Sequence, residues 1–325
     1  MAVLAAVGLA TATFVILATS PQGNEPPNAA PLIDTSSALP FVAGFSGPQA
    51  MAFDPSGSPF DPSGSLVVLD RLGGEIARVN ILRDGTAGDS TVIGRYFDDL
   101  DGLALDDRGS ILFTNYGAVL RLADQSTAAE DASVQYVAQQ WHQGRVQFDP
   151  SVVATNLATG FTEPFGAATA RNGDLYVADH SFSGSRITQI SLFADGTVAS
   201  TTEAAVVPND TGLGVDIALG PTDELFVLNS HGDIWQVSLS SSGPAAVRLF
   251  ASLPGEPTSL AIDASGTPHV GTRDGTVHSV GRDGTSMPII SGFDPIDALE
   301  FDATGVLYVA VEDQVWRLPV LESGA

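Results

Sequence analysis

The residues best suited to chemistry recur at two kinds of place. Asp179-His180 and Asn229-Ser230-His231 stand at the ends of short apolar stretches, and Asp70-Arg71, Asn115-Tyr116, Arg273-Asp274 and Glu312-Asp313 stand at the matching points elsewhere. Imidazole titrates near neutrality, so His180 or His231 could take up and return a proton. Arg71 and Arg273 could grip a carboxylate through paired hydrogen bonds. Asn115, Tyr116 and Asn229 would add polar contacts to a bound molecule. Against this, histidines can be plain surface residues, and each arginine can pair with one of the many acids around it. At the starts of apolar stretches stand Gln49, Asp101 and Asp297. Carboxylate and amide oxygens suit a hard cation, so calcium is the ion this trio would hold. The plainer alternative is solvated loop acids.

The elements that must position these residues repeat along the chain. DGLALDDRGSILFTN (101–115), FGAATARNGDLYVAD (165–179), VDIALGPTDELFVLN (215–229), TSLAIDASGTPHVGT (258–272) and DALEFDATGVLYVAV (297–311) are copies of one unit, and QAMAFD with GSLVVLD (49–54, 64–70) is a sixth. Phe53, Leu105, Thr169, Leu219, Ile262 and Phe301 are equivalent core positions. A period of roughly 40–60 residues with four short strands each predicts an all-β fold, a six-bladed β-propeller. The Asp-x-x-Gly sequences starting at Asp106, Asp263 and Asp302 read as tight hairpin turns. The last strand, near Gln314 to Leu318, is only the third of its blade, so an N-terminal outer strand over Leu39 to Gly44 should close the ring and cover its edge. In such a ring Gln49, Asp101, Phe165, Val215, Thr258 and Asp297 start the inner strands. Asp297, Gln49 and Asp101 come from adjoining blades and would line one side of the channel mouth.

GDLYVADHSFSGSRITQISLFADG (173–196) resembles an NHL repeat, with its Leu-Tyr-Val-Ala-Asp strand and closing Asp-Gly. Over residues 39–325 the array is similar to the NHL, SMP-30/gluconolactonase and strictosidine-synthase-like propellers. The resemblance implies the fold and leaves function divided, because these propellers include hydrolases, lyases and binding proteins. SMP-30-like lactonases hold a divalent metal with Glu, Asn and Asp at inner-strand starts. Asp101 and Asp297 match the acidic ligand, Gln49 stands where the Glu is expected, and Phe165 or Val215 where the Asn is. The main reading is a binding module whose loop face takes a small molecule, glycan or protein. The alternative is a calcium-dependent lactonase or esterase in which Asp101, Asp297 and Gln49 hold the ion and His180 or His231 is the base. A further alternative is a surface protein anchored to a membrane or assembly.

Composition narrows the field. The 325 residues carry 38 acids against 13 bases, for a net charge of −25; the bases are all Arg and 28 of the acids are Asp. This excludes a broad nucleic-acid interface, which needs a cationic footprint. It fits either high-salt adaptation or an exported acidic protein from a GC-rich genome. Without cysteine there are no disulfides, thiolate metal sites or Cys nucleophiles, and no motif points to an organic cofactor. Residues 1–20 form an apolar segment, expected to be a helix acting as signal peptide or membrane anchor, followed by a Pro/Ser/Asn-rich linker over 21–38. Together they place the protein outside the cytoplasm, with membrane contact only through residues 2–20. An insertion over 123–150 carries Tyr136, Trp141, His142 and Arg145 and reads as lengthened outer strands or as a lid.

Overall fold

The computed structural model describes residues 33–35, 38–55, 64–95, 97, 99–106, 108–122, 140–142, 145–147, 154–181, 184–208, 213–239 and 245–318. The expected N-terminal helix and most of the linker lie outside them. Among the described residues there is no α-helix, and none long and apolar enough to cross a membrane.

The repeats fold as six four-stranded antiparallel sheets whose inner strands pack around one channel. In order from the channel outward, blade 1 is Pro48–Asp54, Ser65–Asp70, Glu75–Ile81 and Ala87–Arg95. Blade 2 is Leu100–Leu105, Ile111–Asn115, Ala118–Leu122 and Ala154–Thr159. Blade 3 is Pro164–Thr169, Leu175–Ser181, Gly184–Leu192 and Val198–Pro208. Blade 4 is Gly214–Leu219, Glu224–Asn229, Asp233–Ser238 and Ala246–Ser252, and blade 5 is Pro257–Ile262, Pro268–Thr272, Val277–Val280 and Ser286–Ser291. Blade 6 is Ile296–Phe301, Leu307–Val311 and Gln314–Arg317, completed by Leu39–Ala43, which pairs Leu39 with Arg317 and Ala43 with Gln314. The expected closure is thus present. Just before it, Ile33–Asp34 adds a parallel strand to the outside of blade 5, inside the stretch expected as linker.

Second strands are continuous apolar runs, buried along their length because sheets cover both of their faces. The core lies in the seams between blades. Between blades 1 and 2, for example, Phe97 meets Phe113 edge to face at 4.7 Å beside Leu69, Leu103 and Leu120; each such buried side chain contributes about 1.5–3 kcal/mol. The hairpin acids are punctuation, as expected. Asp263 Oδ1 accepts the N–H groups of Ser265 and Thr267, and Asp302 Oδ1 those of Thr304 and Val306. In the 123–150 insertion, Gln140–His142 and Arg145–Gln147 form a separate hairpin rather than lengthening the outer strand of blade 2.

Candidate functional site at the channel mouth

Every inner strand breaks register where it starts. The irregularity falls at Gln49, Asp101–Gly102, Phe165, Val215, Thr258 and Asp297, the six positions that the repeats mark as strand starts. A bulge bends the strand and re-aims a side chain. Five of the six starts line the channel, and Asp297 instead accepts the Glu312 N–H at 3.2 Å. Gly102 fits only because it lacks a side chain, since a Cβ there would lie 2.9 Å from the Gly166 backbone of blade 3.

Backbone bonds bring a second set of residues to the mouth. At or just past the end of four second strands a residue donates its N–H to the loop carbonyl ahead of its own inner strand: Arg71 to Gly47, His180 to Glu163, Ser230 to Leu213 and Arg273 to Glu256, at 2.7–3.1 Å. His180 is stacked on Phe165 with ring centroids 4.5 Å apart. Burial lowers its pKa, against the upward pull of Glu163, Asp179 and the Gly214 backbone. Glu163 also acts on Asp101, whose pKa burial raises and Arg71 lowers. Arg71 spans two acids, Asp101 at 2.8 Å and Asp99 at 3.0 Å.

The remaining expected site residues are placed as follows. Asn229 is buried, and its Oδ1 caps the His231 and Asp233 N–H groups. Asn115 is likewise buried at its strand end. Tyr116 is exposed with φ 49°. His231 is exposed, and Arg273 pairs with Glu256 in solvent. Asp297, like Asp101, has a pKa raised by burial. Gln49, Asp101 and Asp297 offer two carboxylates and an amide, with a guanidinium already seated on one carboxylate. Among the described residues no three Asp, Glu or His side chains form a group that could hold a metal. Two carboxylates and an amide are the oxygen donors calcium takes, with Arg71 now paired to Asp101 and Asp297 bonded to the Glu312 N–H.

Deeper in the channel are two acids that the motif reading passed over. Asp216 accepts the Leu260 N–H at 2.9 Å and the Ile217 N–H at 2.7 Å, and Glu300 accepts the Phe53 N–H at 3.3 Å. No cation pairs with either among the described residues, and desolvation raises them to about 7 and about 8. The signal was present in the repeats. Glu300 stands where the other blades have Ala52, Ala104, Ala168, Ala218 and Ala261, and Asp216 where they have Ala50, Gly102, Gly166, Ser259 and Ala298. Glu163 was missed because it sits in a loop outside the repeated unit.

No protein-family model and no curated protein matches the sequence. Solved structures do match in fold. A gluconolactonase from Xanthomonas campestris is 17% identical with TM-score 0.57, over 85% of this chain and 89% of that one. The calcium-binding protein regucalcin from Agrobacterium tumefaciens is 14% identical with TM-score 0.62, over 90% and 96%. A catalytically inactive histidine-to-alanine variant of virginiamycin B lyase from Staphylococcus aureus, with quinupristin, is 14% identical with TM-score 0.54, over 87% and 98%. The chain therefore has the six-bladed propeller fold, and its structural neighbours are of the SMP-30/gluconolactonase-like kind that the repeats resemble.

Proposed function

We propose that the protein is an enzyme that opens a small ester, most simply a lactone, at the channel mouth, with His180 as the base. The observation that carries this reading is His180 itself: a half-buried imidazole held at the channel mouth by stacking on Phe165 and by its own N–H on the Glu163 carbonyl, with a ring nitrogen to take up a proton. In the proposed step that nitrogen takes a proton from water as the water oxygen bonds to the carbonyl carbon. The tetrahedral intermediate then breaks its C–O bond to the alkoxy oxygen, which receives the proton back from His180, leaving a hydroxy acid. Glu163 and Asp179 favour the transient imidazolium, and Arg71 supplies positive charge at the mouth. The gluconolactonase neighbour and the lyase neighbour that a histidine-to-alanine change inactivates support the reading by analogy of fold. Export through residues 2–20 belongs to the same proposal.

The test is hydrolysis of five- and six-membered lactones and of p-nitrophenyl esters by the full chain, with and without chelator. The expected kcat/KM rises through an inflection below 6.5 and then levels. His180→Gln should lower it by about 10²–10⁴-fold, and His231→Gln should leave it alone. Turnover of none of these substrates, or equal rates in both variants, would sink the proposal. Saturable binding without turnover would favour the binding-module reading, and loss of rate on chelation the calcium reading.

A further inference from the structure

On the face opposite the mouth, three blades place an acid of the strand 1–2 hairpin beside an arginine from the third strand. Asp54 pairs with Arg78 in blade 1, and Asp106 with Arg121 at 3.8 Å in blade 2. In blade 6 Asp302 and Arg317 both engage the Tyr308 hydroxyl. Blade 3 lacks both partners, with Ala170 in place of the acid and Gln189 in place of the arginine. Tyr176, the counterpart of Tyr308, is 5% exposed, and its hydroxyl has no hydrogen-bond partner among the described residues. A cleft of about 480 Å³ opens there between blades 3 and 4, lined by Tyr176, Gln189, Asp174, Asp223, Ala170 and Leu239.

We propose that this cleft is a second site, for a small organic cation bearing an ammonium or guanidinium group. Its polar groups mostly accept. Asp174 Oδ2 takes bonds from Asn172 at 2.7 Å and from Gln189 at 2.6 Å, and Asp223 Oδ1 takes the Arg171 N–H at 3.1 Å. That leaves the second carboxylate oxygens, the Gln189 carbonyl and the Tyr176 oxygen without a bonded donor. The Arg171 guanidinium is exposed and makes no ion pair among the described residues. Ammonium and guanidinium groups donate and do not accept, so they match this lining, and guanidinium can bind a carboxylate through two parallel bonds. Leu239 and Ala170 offer an apolar wall for a methylene stem. The volume is in the range of small-molecule sites.

The test is calorimetry of the full chain with 1,4-diaminobutane and with arginine amide at physiological salt. Because a charge of −25 attracts any cation, the variants decide. Tyr176→Phe and Asp223→Asn should each weaken binding about tenfold, and Asp283→Asn, exposed on another blade, should not. Tyr176→Phe should also leave the melting temperature unchanged, since its hydroxyl has no partner to lose. Three outcomes overturn the proposal: no saturable binding below about 1 mM, equal affinity in all three variants, or stoichiometric displacement by calcium chloride at lower concentration, which would make the cleft a metal site.

Discussion

Two kinds of acid sit inside this propeller, and they differ in the donors that surround them. Asp179, with no exposed surface, lies near the end of a second strand; its carboxylate accepts the Thr162 and Glu163 N–H groups at 2.8 and 2.7 Å and pairs with Arg186 at 2.6 Å. Asp70 does the same in blade 1 with the N–H groups of Ser46, Gly47 and Gly73. Asp216 and Glu300, half-buried in the channel wall, have only one or two backbone donors each and no cation among the described residues. The strand-end acids tie loops to blades. The channel acids have few donors to offset desolvation, which raises them to about 7 and about 8.

The sharpest break of this contrast is Asp179→Ala. It leaves two N–H groups and the half-buried Arg186 without their acceptor and should cost about 3–5 kcal/mol at pH 7, read from urea unfolding. The channel acids should behave in the opposite sense. Their folded pKa values lie above their unfolded ones, so neither affects stability below about pH 3, where both states are protonated. As pH rises the unfolded chain ionises first, and stability falls until the folded pKa is passed. For Glu300 that window runs from 4.5 to about 8 and is worth at most about 5 kcal/mol. Glu300→Gln should therefore gain stability relative to wild type between pH 5 and 8.5, and a parallel pH dependence of the two proteins would refute the assignment. Asp216→Asn should do the same over a narrower window, ending at about 7. It should also lower the Glu300 pKa, since each carboxylate repels the other's charge, and carboxyl-carbon NMR titration reads this directly. The smallest effect belongs to the mouth. Arg71→Gln should cost no more than about 1 kcal/mol, because the pair is partly exposed, yet it should raise the Asp101 pKa further, visible in the same titration.

The repeats made the fold legible because strand, turn and core residues recur with a period, and periodicity survives wide sequence change. Strand order, closure by Leu39–Ala43 and the six bulged strand starts all follow from aligning the copies. The site was legible only where chemistry coincided with the repeat, as at Asp101 and His180. The cap that the Asn229 amide makes was not legible, because an amide that caps a turn and one that faces a ligand look the same in sequence. Glu300 and Asp216 were visible as departures from Ala, Gly and Ser, but a search for motifs does not look for exceptions to a column. Ile33–Asp34 could not be read at all, since two residues carry no period.

The clasp that closes blade 6 has a consequence in time. Leu39 cannot find Arg317 until all six blades have been made, so a strand made before blade 1 waits for the last blade, and during synthesis blade 6 exposes an open edge. Such a long-range pairing slows folding and leaves an aggregation-prone intermediate.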